Sequence, residues 1–361
     1  MMVAKMQKGT VDRISGLPGF ILHTILSMFD TKEAGRASVL SKRWYGAWSS
    51  IPVLDFQYQY FQKCEDRPYM YDEDMFERFV GFIDKTMQRY LTKKYRITEM
   101  YLDIALPYEK RETSIDKWIM IAVQNQIQKL EIKIVVLNRY DYSHRLPEIL
   151  FCAKSLKYLK CLKVELPYYE TMELTSLKYL TLERGAVNVD MLQRIISFCP
   201  LIELDVTSIH DLEEDSLSCM GKVNGGDEGR GSGTMQAPSL QKFVGYGYFA
   251  GLLPHMVALK NLKKLEFDCA PVTDDILSEL VYVLVALETL VLIGCSTLEC
   301  IKISSNSLTQ LRIEEGFHLM KVTIDTPNLL EFSYNCEMET SLSLISVLDH
   351  CNARFFPSVK D

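Results

Sequence analysis

The residue types that carry covalent or metal chemistry are plentiful, with ten cysteines and six histidines in 361 residues. Their spacing assembles no reactive pattern. A metal centre legible in sequence needs ligands on one helical face or in one tight loop, as in HExxH or paired CxxC. His23, His144, His210, His255, His318 and His350 form no such set, and no two cysteines are three apart. Cys295 and Cys300, lacking a second pair, read as repeat residues rather than ligands. No GxSxG elbow offers a serine nucleophile. The glycine clusters "GYGYFAG" from Gly245 and "GKVNGGDEGRGSGT" from Gly221 lack the GKS or GKT and the strand-turn-helix frame that cradle phosphates. No catalytic residue, metal or cofactor is expected, and an enzyme is the less favoured class. The chemistry to look for is binding.

Composition narrows the partner. A net charge of −7 and a pI near 5.5 give no general attraction to phosphate backbones, so nucleic acid is not expected. The N-terminal "MMVAKMQKGTVDRIS" lacks the apolar run of a secretory signal. The longest apolar stretch, "ILSELVYVLVALETLVLI" from Ile276, is interrupted by Glu279 and Glu288; it reads as a buried helix running into a buried strand, and no membrane partner is expected. Ten cysteines without a signal are read as reduced, which places the chain in the nucleus and/or cytoplasm.

The elements that would build a binding surface are repeated. From Ile97 onward one phrase recurs: an apolar residue, two variable residues, an apolar, one variable, an apolar. Its copies start at Ile97, Ile127, Leu159 ("LKCLKVEL"), Leu177, Leu201, Leu240, Leu262, Leu287, Leu298, Leu308, Leu319 and Leu329. The last two apolar positions are two apart and so share one face of a strand. No single copy can bury that face; stacked copies form a parallel sheet with a shared core. Among the late copies every second one is 21 residues from its partner, which implies two strands per coil on opposite sides. An antiparallel meander is the competing arrangement.

The repeats occupy 97–361, with a polar, glycine-rich insert at 221–238 expected to be mobile. Before them, 57–96 is a linker and a helix over 75–91, with Phe76, Phe79, Val80, Ile83, Met87 and Leu91 on one face. Residues 1–11 are a tail. The segment 12–56 holds two or three short helices with Ile21, Leu22, Ile25, Leu26 and Phe29, then Ala34, Ala37, Val39, Leu40, Trp44 and Trp48, at apolar spacing. So small a unit buries too little surface to stand alone and needs a partner, in cis or in trans.

Here the ordered string is specific. "LPGFILHTIL" (Leu17–Leu26), "VLSKRW" (Val39–Trp44) and Trp48 resemble the F-box, and "DRIS" before and "SSIPVLDF" after it are similar to plant F-box and leucine-rich-repeat proteins. The resemblance implies an α/β protein, a small helical F-box followed by a leucine-rich-repeat solenoid with a curved parallel sheet. It implies docking on a Skp-type adaptor, which joins cullin and RING subunits into an SCF ubiquitin ligase whose substrate the repeats hold. Leu17, Pro18, Ile21, Leu22, Ile25 and Leu26 would then face the adaptor, with Val39, Leu40, Ser41 and Trp44 forming or supporting that surface. Gly19 and Phe20 stand where the family more often has an acidic pair, and Phe29 and Asp30 replace a frequent Leu-Pro. Gly19 costs the helix start up to about 1 kcal/mol relative to Ala. Many members continue into an FBD domain, which the final "HCNARFFPSVKD" does not supply.

Strand alternation turns the residues flanking the paired apolar positions toward the open inner face. Those are Tyr179, Thr181 and Glu183; Glu203, Asp205 and Thr207; Lys264, Glu266 and Asp268; Gln310, Arg312 and Glu314. As a substrate surface the row leans acidic between Glu183 and Asp205, which favours a partner with a basic segment and salt-sensitive binding. Two other readings compete: a solvated sheet face with a helical cap at its N-terminal end, and a protein-binding scaffold that assembles no ligase.

Overall fold

The computed structural model describes residues 16–61, 73–107, 113–137, 144–211, 237–249, 252–316, 318–335, 341–346 and 351–355. The expected mobile insert lies almost wholly outside them.

Three short helices come first: α1 (Gly19–Leu26), α2 (Thr31–Ala37) and α3 (Lys42–Trp48), with a 3-10 turn over Ser38–Leu40. Side-chain caps set two of their starts. The Asp30 carboxylate accepts from the N–H groups of Lys32 and Glu33 at 2.8 and 2.9 Å, and Ser41 Oγ accepts from Trp44 N–H at 3.2 Å. The Asp30 departure therefore builds a helix start. α1 has no side-chain cap; Pro18 precedes it, and its carbonyl accepts from Ile21 and Leu22.

The sheet begins before the first repeat phrase read from the sequence. β1 (Val53–Gln57) follows α3 directly, then come α4 (Glu73–Lys93), β2 (Glu99–Pro107), α5 (Thr113–Gln124) and β3 (Lys129–Leu137). Next are β4 (His144–Arg145), β5 (Tyr158–Leu162), β6 (Val164–Leu166), β7 (Tyr179–Glu183), β8 (Ala186–Val187), α6 (Val189–Phe198), β9 (Glu203–Asp211) and β10 (Lys242–Phe249). The remainder is β11 (Lys264–Asp268), α7 (Asp274–Val283), β12 (Thr289–Ile293), β13 (Cys300–Ser304), β14 (Gln310–Glu314), β15 (Lys321–Asp325), β16 (Glu331–Asn335), β17 (Ser341–Leu344) and β18 (Asn352–Phe355).

The main sheet runs β1-β2-β3-β5-β7-β9-β10-β11-β12-β14-β16-β18, and every pairing along it is parallel. Its register stacks the apolar positions of the phrase: Leu54 on Met100, then Leu130, Leu159, Leu180, Leu204, Phe243, Leu265, Leu290, Leu311 and Phe332. All of these are buried, so each coil closes the core that the previous one leaves open. β13, β15 and β17 form a separate parallel sheet, with Ile301 beside Val322 and Ile303 beside Ile324. The two strands per coil inferred from the 21-residue period are thus present, and the antiparallel meander is not.

One frame needed correction. The third phrase starts at Leu156, not Leu159: β5 buries Leu159 and Cys161, while Leu162 turns outward, and Val164 and Leu166 lie in β6, off the main path. Leu156, Leu159 and Leu162, three apart, fit the phrase in two frames, and pairing with Leu130 and Leu180 selects one. The helix expected over 75–91 is α4. It buries Phe76, Phe79, Ile83 and Met87, with Val80 partly covered and Leu91 exposed.

Candidate interaction surfaces

The helical domain divides its apolar residues between an interior and an exterior. Leu22, Leu26 and Trp44 are buried at 0%, 0% and 5% exposure. Leu22 and Leu26, expected to face an adaptor, instead form the domain's own core with Ala34 and Ala47, and Trp44 supports it from α3. The reason is geometric: α1 spans only about two turns, so its i, i+4 stripe is consumed in packing on α3. Leu17, Ile21 and Ile25 are partly covered, Pro18 is exposed, and Ser41 caps α3.

What faces outward is Phe20, Met28 and Phe29 together with Val39 and Leu40. Met28 is 79% exposed, Val39 85% and Leu40 68%. That is a large share of bare apolar side chains for one three-helix domain, the kind of exposure that docking surfaces carry. Phe20, Met28 and Phe29 were missed as site residues in the sequence reading; the i, i+4, i+8 spacing of Phe20, Thr24 and Met28, off the Leu22–Leu26 stripe, was the available signal. Cations lie near. Arg36 and Lys42 are exposed, and Lys32 has its pKa lowered by burial and by the neighbouring Arg36 charge.

The domain is bound firmly to the sheet. Thr31 Oγ1 accepts from Asp55 N–H of β1 at 2.7 Å, and within the domain Trp48 Nε1 steadies Thr31 by donating to its carbonyl at 3.4 Å. The Arg89 guanidinium of α4 stands 4.1 Å from the Trp48 ring centre. Tyr90 donates its hydroxyl to the Ile51 carbonyl at 2.6 Å, and burial pushes its pKa up to about 12.

The second surface is the open face of the main sheet. All twelve residues expected there lie on it, three each on β7, β9, β11 and β14. The register also places between them residues that the sequence reading passed over: Lys242 and Tyr246 on β10, Val291 on β12, Tyr158 and Lys160 on β5. These change the electrostatics. Glu183 takes Lys160 at 2.7 Å, Glu203 takes Lys242, Lys264 takes Glu266 at 2.9 Å and Arg312 takes Glu314 at 2.7 Å. The acidic lean expected between Glu183 and Asp205 is therefore answered by cations one strand away, and the case for a basic partner loses its footing. Asp205 keeps one buried oxygen without a hydrogen-bond partner. Its pKa is raised by burial, against the pull of Lys242 and reinforced by Glu203 and Glu266.

Two clefts indent this face. One of about 360 Å³ lies between Tyr101, Glu131, Lys133, Lys160 and Glu183, and one of about 440 Å³ between Lys264, Val291, Arg312, Ser333 and Arg354. At the first, the Lys129 ammonium stands 5.0 Å from the Tyr101 ring and 4.7 Å from Tyr158, and Tyr158 stacks toward Tyr179 at 6.2 Å. Rings and paired charges of both signs suit a folded protein surface.

Among the described residues no group of histidine, cysteine and carboxylate side chains is placed to hold a metal ion. The seven described cysteines are free, and burial drives Cys295 up to about 11 and Cys199 up to about 12, far from thiolate chemistry. His144 is fully buried with Nε2 3.2 Å from Asp116.

Comparison with known proteins matches two regions of the chain to families. Residues 14–56 match the F-box domain family, and residues 253–358 match the family described as At1g61320/AtMIF1, LRR domain. The chain is similar to the FBD-associated F-box protein At5g56370 of Arabidopsis thaliana, 30% identical over 70% of this chain and 54% of that one. It is also similar to the F-box/FBD/LRR-repeat protein At5g22660 of the same plant, 31% identical over 56% of this chain and 41% of the relative. The FBD-associated F-box protein At4g10400 is 29% identical over 64% and 50%. The chain spans about half the length of the curated relatives it matches. It thus carries an F-box domain followed by leucine-rich repeats, and its relatives are F-box/LRR and FBD-associated F-box proteins.

Proposed function

We propose that the chain is the substrate-receptor subunit of an SCF-type ubiquitin ligase, working in the nucleus and/or cytoplasm. Its F-box docks on a Skp-type adaptor, and through it on cullin and RING subunits; the open face of the main sheet holds a protein substrate. The carrying observation is the outward apolar set Phe20, Met28, Phe29, Val39 and Leu40 on a domain whose family generally binds such adaptors. The chain itself does no chemistry in this role. It raises the effective concentration of substrate lysines beside a ubiquitin-charged enzyme.

The test is calorimetric titration of the full chain with a purified Skp-type adaptor. Binding is expected, and Val39→Asp with Leu40→Asp should weaken it at least tenfold, because an exposed anchor buried in a complex contributes about 1–4 kcal/mol. Absence of any adaptor binding by the folded chain would leave a leucine-rich-repeat binding scaffold as the reading.

A further inference from the structure

The edge of the main sheet where its strands begin carries a row of residues joined coil to coil by backbone hydrogen bonds. Thr98 N–H donates to the Pro52 carbonyl at 2.7 Å, Gln128 to Thr98 at 2.9 Å, Lys157 to Gln128 at 2.8 Å, Lys178 to Lys157 at 2.9 Å and Ile202 to Lys178 at 2.8 Å. The row starts at Pro52, just past α3, and so leads away from the F-box.

Its first part is basic. Lys94 and Arg96 stand at the turn into β2, and Lys157 and Lys178 occupy consecutive rungs. All four are exposed, and none forms an ion pair among the described residues. Further cations near this edge are answered, Lys154 by Glu173 at 3.4 Å and Lys263 by Glu288 at 2.9 Å. Lys94 sits just beyond the end of α4, where a cation also suits the helix dipole. That accounts for Lys94 alone, since Lys157 and Lys178 follow no α-helix. Beside Lys94 and Arg96 a groove of about 390 Å³ is completed by Leu91, Gln124, Asn125 and Gln126. Carboxamides and cations together offer donors to carboxylates. The stretch from β2 to β7 covers three strand spacings, about 14 Å, the reach of about four extended residues.

We propose that this edge is a second docking surface, taking an acidic polypeptide segment of a protein partner across Lys94, Arg96, Lys157 and Lys178. A long polyanion such as nucleic acid fits less well, because it would run beyond this footprint along a molecule of net charge −7.

The test uses the full chain and a fluorescein-labelled ten-residue glutamate peptide, read by anisotropy at about 50 mM salt, where exposed charges act over long range. The peptide is expected to bind and to weaken as salt rises. Lys94→Glu, Arg96→Glu, Lys157→Glu and Lys178→Glu together should weaken it at least tenfold, and Lys302→Glu with Lys321→Glu, exposed on the second sheet, should leave it within twofold. Lys94→Gln with Arg96→Gln gives a milder variant should the fourfold reversal disturb folding, and should weaken binding about threefold or more. No binding, equal binding by the reversed variant, or equal loss in the second-sheet variant overturns the proposal. So does tighter binding of a ten-nucleotide single-stranded DNA that the same reversal abolishes.

Discussion

Leu22→Ala and Leu40→Ala make a matched pair that separates the interior of the F-box from its exterior. Leu22 has no exposure and lies in the core with Leu26, Ala34 and Trp44; Leu40 is 68% exposed. Truncating a buried leucine loses its transfer free energy and leaves a cavity, about 2–5 kcal/mol. A domain of three helices can relax toward the lower end, yet even about 2 kcal/mol is a large part of what holds so small a unit. Leu40→Ala removes side-chain atoms already in water and should change stability by less than about 0.5 kcal/mol. Urea titration followed by tryptophan emission measures the difference, since Trp44 and Trp48 belong to this domain. Leu22→Ala is expected to lower the midpoint clearly and Leu40→Ala to leave it in place, while adaptor titration below the transition gives the reverse order. An unchanged midpoint for Leu22→Ala, or an equal drop for Leu40→Ala, would refute the division of the domain into core and docking residues.

Gly19→Ala should stabilise the F-box by up to about 1 kcal/mol and raise its urea midpoint accordingly, because a Cβ there meets nothing within 4 Å and the helix start loses its glycine entropy cost. Asp205→Asn should stabilise the chain at neutral pH: burial raises the folded carboxyl pKa above its unfolded value, so its favourable contribution is complete below the unfolded pKa and lost as pH rises through the folded one. The gain over wild type, followed by urea midpoints between about pH 3 and pH 7, should vanish at the acid end, and a gain that grew toward acid would contradict the assignment. Among the described cysteines of the native protein, a thiol-reactive disulfide should label exposed Cys269 and Cys300 before the rest and reach Cys161, Cys199 and Cys295 only on unfolding, as mass spectrometry of labelled peptides would show.

The repeat was legible because its periodicity is enforced by burial: each copy must present two apolar residues to the same interior, and a parallel ladder permits no slip without turning them outward. The alternating late strands followed from the same constraint, since successive copies only 10 or 11 residues apart leave no room for a helical return between them, while every second copy is a full 21-residue coil away. What stayed hidden has physical causes too. α5 carries the run Trp118–Val123, continuous enough to read as strand or helix, and only its packing beside α4 decides. β1 was absorbed into the F-box because its Leu54 and Phe56 look like the end of a helical domain until β2 pairs with them. Leu22 and Leu26, buried, and Val39 and Leu40, exposed, belong to one apolar pattern, and composition alone cannot tell a stripe that faces its own core from one that faces a partner. The charge balance of the open face escaped for a related reason. Lys160 and Lys242 lie 23 and 39 residues from the glutamates they pair with, Glu183 and Glu203, and only the register brings them together.

The junction between F-box and sheet bears on how a receptor of the proposed kind would work. An adaptor-docking domain on a flexible tether would spread its bound substrate over a large volume and dilute the benefit of proximity. Here β1 leaves α3 after four residues and is at once the first strand of the sheet, so the helices form one end of the stack. Thr31 bonded to Asp55, Tyr90 to Ile51, and Arg89 stacked on Trp48 add three side-chain ties between the domain and the first coil. Repeat arrays need their terminal faces covered, and the F-box serves that need while holding its exposed apolar set at a fixed distance from the open face. The same atoms thus cap the solenoid and set the geometry of presentation, so loosening the junction costs both. Tyr90→Phe removes a buried hydroxyl that donates to Ile51 and leaves that carbonyl without its partner, a loss of about 1–2 kcal/mol. Its expected signature is a lower urea midpoint together with faster amide hydrogen exchange at Thr98 and Asp55, whose N–H groups bond across the junction. Exchange unchanged at both amides despite a lowered midpoint would place the tie elsewhere in the first coil and sever the link between capping and presentation.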